Sequence, residues 1–122
     1  MFVLACSIQP GDCSSARLGR FRDTGGPVAD FYVTRTEHEL IEEAPTEGKV
    51  TRSQLVWLDS CTYLAFGRTV LSGKADMGQP TDTLEVHIIK VDEGGFDYRA
   101  KVMSANLKLD GLTFSGRQVF EK

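Results

Sequence analysis

Alternating apolar and polar residues mark two neighbouring segments, 50–58 and 61–71, as strands of an antiparallel sheet. Both segments are rich in Val, Leu, Thr and aromatic residues, which fit a pleated and half-buried surface. Asp59 and Ser60 lie between them and predict a tight hairpin. The turn is flanked by aromatic residues, so we expect two central strands that carry the only tryptophan into the core.

Six further segments have the pattern of strands. In residues 96–102, Phe96 and Tyr98 share one face with the small and apolar residues that follow at every second position. Residues 83–91 alternate as far as Ile88 and then change phase, which predicts a β-bulge or a strand buried on both faces. The other four segments are 17–22, 28–36, 39–44 and 112–120.

The segment 39–44 could form a helix or a strand. Its Glu, Leu and Ala residues favour a helix, but Pro45 would end that helix after one or two turns. A helix of this length is marginal in water, whereas pairing with residues 31–35 would give its backbone groups partners. We therefore predict a strand.

These segments predict an all-β fold, an antiparallel up-and-down meander of about eight strands that closes into a small barrel. Closure removes the two unpaired edges that an open sheet would expose. With 122 residues the chain is long enough for one domain, which we place at 13–122. A barrel of eight strands is either filled by side chains or holds one small ligand, and the sequence leaves both possibilities open.

Residues 1–12 are expected to be the remnant of a signal peptide followed by a tether. The sequence from Val3 to Cys6 resembles the end of a bacterial lipoprotein signal, in which a small residue precedes the lipid-carrying cysteine. A complete signal has a charged start and about 7–15 apolar residues, which are lacking here, so we interpret the segment as a truncated signal. The alternative is an apolar N-terminus with a chance Ala-Cys pair.

The overall charge disfavours nucleic acid as a partner. The formal net charge is −3, from 17 acidic and 14 basic residues, and gives no cationic field for a phosphate backbone. No apolar run approaches the roughly 20 residues that cross a bilayer as a helix. Contact with a membrane is therefore expected only through a lipid on Cys6.

Short motifs occur along the chain in a particular order and spacing: Cys13, 19–21, 33–35, Glu42, 55–57, 61–63 and 114–116. In this order they resemble a family of small secreted lipocalin-like proteins and lipoproteins of Gram-negative bacteria, largely of unknown function. The resemblance covers nearly everything from Cys13 onwards. It implies a lipocalin-like barrel in an exported protein, either periplasmic or anchored to the outer membrane.

The three cysteines allow one disulfide and one remaining thiol in an exported chain. If Cys6 carries the lipid, Cys13 and Cys61 are left to pair, and this pairing is the one that we favour. A bridge from Cys6 to Cys13, or three free thiols in a reducing cytosol, are the alternatives. No His and Asn partners for a nucleophilic cysteine are evident, so we do not expect cysteine catalysis.

The candidate ligand-binding residues are polar or aromatic side chains that could orient a ligand in a mostly apolar pocket: Arg35, Trp57, Tyr63, His87 and Tyr98. The alternative is that these arginine and tyrosine side chains pack their apolar parts and keep their polar ends in water. His87 would then face solvent rather than the lumen.

No metal and no cofactor are expected. His38 and His87 are far apart in sequence, and neither lies in a metal-binding motif. The acidic run around His38 could hold Ca²⁺ weakly, but such a run more often keeps a strand edge solvated.

Three functions follow as hypotheses, in order of preference. The first is a non-enzymatic, secreted or envelope-anchored lipocalin-like protein that binds a small apolar or amphipathic ligand. The alternative is a structural or protein-interaction lipoprotein with a filled barrel, in which the outer surface or the loop 73–82 meets a partner. An enzyme comes last, since it would need titratable groups together in the lumen, for instance His87 within reach of Glu85 or Arg35.

Overall fold

The computed structural model describes residues 13–24, 31–74 and 81–121, and it confirms the predicted all-β meander. Each strand pairs antiparallel with the next one, and the first pairs with the last to close the barrel. Two short 3-10 helices, Ser14–Ala16 and Pro45–Glu47, are the only helices in these residues. The strands are β1 Gly19–Thr24, β2 Phe31–Arg35, β3 Glu39–Ala44, β4 Lys49–Asp59, β5 Thr62–Ser72, β6 Thr83–Val91, β7 Gly95–Met103 and β8 Thr113–Phe120.

The predicted central hairpin is β4 and β5, the two longest strands with 11 residues each. Asp59 pairs with Thr62, so the turn is made by Ser60 and Cys61, and its predicted position was one residue too early. The Asp59 side chain accounts for this shift, because its Oδ1 accepts a hydrogen bond from the Cys61 backbone N–H (2.8 Å).

The predicted strand at 39–44 and the predicted bulge in 83–91 are both confirmed. Strand β3 pairs with β2 on one side and with β4 on the other, so its backbone is bonded along both edges. The register of β6 against β7 shifts between Ile88 and Lys90, which leaves Ile89 exposed. The start predicted for β2, residues 28–30, lies outside the described residues.

The two ends of the barrel differ. One end, which we call the closed end, carries the three turns that join β2–β3, β4–β5 and β6–β7, together with residues 13–18. Phe21, Phe96 and Phe120 pack against one another there, with ring centroids 5.5–6.5 Å apart. The opposite end, which we call the mouth, carries the described connections β3–β4 and β7–β8.

A disulfide between Cys13 and Cys61 holds the first described residues against the central hairpin, as predicted. The Cα atoms are 5.4 Å apart, and the bridge spans 48 positions of sequence. The alternatives, a Cys6–Cys13 bridge and three free thiols, are therefore wrong for this structure. Cys6 itself, with the whole proposed tether 1–12, lies outside the described residues.

Replacing Gly95 by alanine should lower the free energy of unfolding by about 1–3 kcal/mol, because β7 and β8 approach closely at this residue. A methyl group on Gly95 would overlap the Gln118 carbonyl oxygen and would lie 2.9 Å from the Val119 Cα atom, both of which are backbone. The neighbouring Gly94 is the matched control, since its methyl group would meet only side chains, at 3.5 Å or more. Urea unfolding of both variants checks this, and equal losses would contradict it.

Candidate functional site

A cavity of about 620 Å³ lies inside the barrel, between the closed end and the mouth. Its wall consists mainly of apolar side chains that point inward from successive strands: Phe31, Val33, Leu40, Leu84, Val86 and Phe114. Residues of the mouth also line it, among them Lys49 and Leu112, and Leu112 is half exposed. The cavity therefore extends from the barrel core towards solvent at the mouth.

The floor of the cavity is polar. Asp23 is 2% exposed, and its Oδ2 accepts hydrogen bonds from Tyr98 Oη (2.7 Å) and from Gln118 Nε2 (3.0 Å). Gln118 also accepts a bond through Oε1 from Arg35 Nη1 (2.9 Å), so its amide links a buried carboxylate to a buried guanidinium. Tyr63 completes this floor, which consists of Asp23, Tyr63, Tyr98 and Gln118.

Arg35 lies beneath the floor and is buried. Its guanidinium donates to the carbonyl oxygens of Ala16 and Arg17, which fixes the 13–18 segment across the closed end. It also lies 4.3 Å from the centre of the Phe21 ring, in a cation–π contact. Burial lowers the pKa of Arg35, and Tyr63 and Asp23 oppose that shift. The guanidinium nevertheless stays charged at ordinary pH, because no protein environment deprotonates arginine.

Both tyrosines of the floor are neutral at ordinary pH. Burial raises the pKa of Tyr63, and the nearby Arg35 only partly offsets this. Burial also raises the pKa of Tyr98, and the carboxylate of Asp23 adds to the shift. Each hydroxyl therefore keeps its hydrogen and remains a donor.

Above the floor, an ion pair on the cavity wall joins Glu42 of β3 to Arg68 of β5. Arg68 Nη1 donates to Glu42 Oε1 at 2.7 Å, and the Thr51 hydroxyl donates to the same oxygen at 3.3 Å. Arg68 follows Gly67, whose φ of +64° lies in the left-handed region that favours glycine. The register of β4 against β5 shifts at this point, and Arg68 lines the cavity as a result.

The structure places only two of the five predicted ligand-binding residues on the cavity, Tyr63 and Tyr98. Arg35 lies below the floor, where it donates a hydrogen bond to Tyr63. Trp57 is partly buried at the closed end, packed on Tyr63 with ring centroids 5.0 Å apart and covered by the Arg17 guanidinium. Its Nε1 is buried and has no hydrogen-bond partner in the described part of the chain.

The prediction for His87 needs a correction. Its neighbours Val86 and Ile88 point into the barrel, so His87 points outward and is exposed. It contacts Glu85 on that outer face, with Nε2 and Oε1 3.6 Å apart. His87 therefore does not line the cavity, and the pair suggested for catalysis in the lumen is not formed there.

Four charged or polar residues that line the cavity were not predicted as ligand-binding residues: Asp23, Glu42, Arg68 and Gln118. Three of them could have been found from alternation. Asp23 shares a face with Phe21, Gln118 with Phe114 and Phe120, and Glu42 with Leu40, so each lies on an inward face.

Within residues 13–24, 31–74 and 81–121 there is no group of three or more His, Cys, Asp or Glu side chains that could hold a metal ion. The same residues contain no helix long and apolar enough to cross a membrane. The floor therefore offers hydrogen bonding by uncharged tyrosine hydroxyl groups, next to a carboxylate and a guanidinium that are linked through Gln118.

Comparison with known proteins gives no match to any family model, to any curated protein or to any solved structure. The resemblance to lipocalin-like proteins thus rests on the motifs of the sequence and stays a prediction.

Proposed function

We propose that this protein is a non-enzymatic carrier or receptor that binds one small apolar or amphipathic molecule inside its barrel. The observation that carries the proposal is the cavity of about 620 Å³, whose wall is mainly apolar. Small-molecule sites usually have volumes of about 300–1,000 Å³ and a few polar groups among apolar ones, and the floor supplies such groups. The alternative of a protein-interaction lipoprotein calls for a filled interior, so the cavity favours ligand binding.

We further propose that the protein works outside the cytosol, as a secreted or envelope-anchored protein of the lipocalin-like kind. The Cys13–Cys61 disulfide supports an oxidising compartment, because such bridges persist mainly in exported proteins. A lipid on Cys6 would supply the anchor. Mass spectrometry under non-denaturing conditions, on protein from its native source, tests both proposals through the mass of any retained molecule or lipid.

Filling the cavity should weaken ligand binding. Ala44 lines the cavity near the mouth, so Ala44→Trp should weaken the binding of the neutral dye Nile red by about tenfold or more, since the bulky ring takes space that the dye needs. Leu71→Trp is the matched control, because Leu71 is half exposed and does not line the cavity. Thr83→Trp, also at the cavity wall, is a second filling variant.

Dye fluorescence gives the dissociation constants, and circular dichroism shows that each variant is folded. The proposal is wrong if the wild-type protein does not bind the dye, or if folded filling variants bind it as tightly as Leu71→Trp does.

A further inference from the structure

The hydroxyl group of Tyr63 has a hydrogen-bond donor that the described residues do not use. Tyr63 is 3% exposed, and its Oη accepts a hydrogen bond from Arg35 Nη1 at 3.5 Å. A guanidinium can only donate, so the hydroxyl hydrogen of Tyr63 is not spent on Arg35. No other described residue accepts it, although a buried donor without an acceptor is costly.

The other polar groups of the floor already have hydrogen-bond partners. Tyr98 donates to Asp23, and Gln118 uses both its amide nitrogen and its oxygen. On the wall, Thr51 donates to Glu42. Tyr63 is therefore the floor residue whose donor is left for a molecule in the cavity.

The charges at the floor and on the adjoining wall are linked to one another, and the other charged residues that line the cavity lie at the mouth. Asp23 is linked to Arg35 through Gln118, and Glu42 is paired with Arg68 at 2.7 Å. A carboxylate at the floor would meet Asp23 and Glu42, and the two cations described beside them, Arg35 and Arg68, already have partners. An ammonium group would have to compete with the donors that already occupy Asp23 and Glu42, and it would lose its hydration on burial.

We propose that the cavity selects uncharged amphipathic molecules whose buried polar end carries an oxygen acceptor, such as an aliphatic alcohol, ester or amide. The acceptor oxygen takes the hydrogen bond from Tyr63 Oη, and the aliphatic part lies against the apolar wall. Tyr63 is then the residue that determines head-group specificity. This inference rests on the proposed function and adds the class of ligand to it.

The test compares four molecules with one chain length, decanol, decanoate, decylammonium and decane, by displacement of Nile red from the wild-type protein at neutral pH. Decanol should bind about tenfold or more tightly than either ion, because each ion loses its hydration on burial and the charged groups at the floor already have partners. Tyr63→Phe should weaken decanol binding about two- to tenfold, the effect of one lost hydrogen bond, and leave decane binding unchanged.

Tyr32→Phe is the matched control. It removes a hydroxyl group from a tyrosine that does not line the cavity and packs against Arg20, so it should change none of the four affinities. A general loss of structure in Tyr63→Phe would weaken the binding of decane and of decanol alike. The loss of one specific hydrogen bond would weaken only the binding of decanol.

Decanoate or decylammonium binding as tightly as decanol would overturn the inference while leaving ligand binding in place. The inference is also wrong, with ligand binding still in place, if Tyr63→Phe weakens the binding of decane as much as the binding of decanol. If none of the four molecules displaces the dye, the inference is wrong. The proposed function is then still tested separately, by whether the cavity binds the dye. The comparison of head groups uses only the wild-type protein and does not depend on the folding of a variant.

Discussion

Replacing Cys13 and Cys61 together by alanine should lower the free energy of unfolding by about 4 kcal/mol, the loop-closure entropy of a bridge of this span. The disulfide joins residues 48 positions apart, so it removes many conformations from the unfolded chain. In the folded protein it also holds the 13–18 segment, whose carbonyl oxygens accept hydrogen bonds from Arg35. The loss of the bridge should therefore loosen the closed end as well.

Urea unfolding, followed by circular dichroism, measures this difference. Cys6→Ala is the control and should change the free energy of unfolding by less than about 0.5 kcal/mol, since Cys6 is not part of the bridge. A loss below about 1 kcal/mol in the double variant would contradict the expected role of the disulfide.

Arg35→Met should lower the free energy of unfolding by about 3–5 kcal/mol, the usual cost of removing one partner from a buried charged network. Arg35 is 2% exposed and donates to Gln118 and to two backbone carbonyl groups. Methionine fills a similar space but offers no donor, so these acceptors lose their partner, and the charge of Asp23 loses the nearby cation.

Arg20→Met is the matched control for this variant. Arg20 lies on the outer face and forms an exposed ion pair with Glu43, at 2.8 Å, which is expected to contribute less than about 1 kcal/mol. Thermal and urea unfolding compare the two variants. Similar losses in both would show that the buried network does not stabilise the barrel more than a surface ion pair does.

The strands could be predicted because their side chains face water on one side and the core on the other. This produces the alternation in β4, β6 and β7, and short turns then fix their order in the sheet. Pro45 decided between a helix and a strand for β3, because it left too few residues for a stable helix. The Cys13–Cys61 disulfide was the favoured one of three alternatives, and the structure confirms it.

The cavity and its polar floor could be predicted only in part. Arg35 follows Phe31 and Val33 at every second position, which already assigns it to the inner face, but alternation does not show how deeply a side chain lies. Arg68 was missed because the bulge at Gly67 changes the inward positions of β5, and strict alternation would have placed it outside. The volume of the cavity depends on how all eight strands are aligned with one another. The pattern of a single segment does not give this alignment, so the volume could not be predicted.

Both ends of the described chain, Cys13 and Glu121, lie at the closed end, where Glu121 donates its backbone N–H to Arg20. A support or fusion partner attached at either end would therefore sit on the far side of the barrel from the mouth. Attachment to a sensor surface at either end of the described chain would therefore direct the entrance of the cavity into the bulk solution.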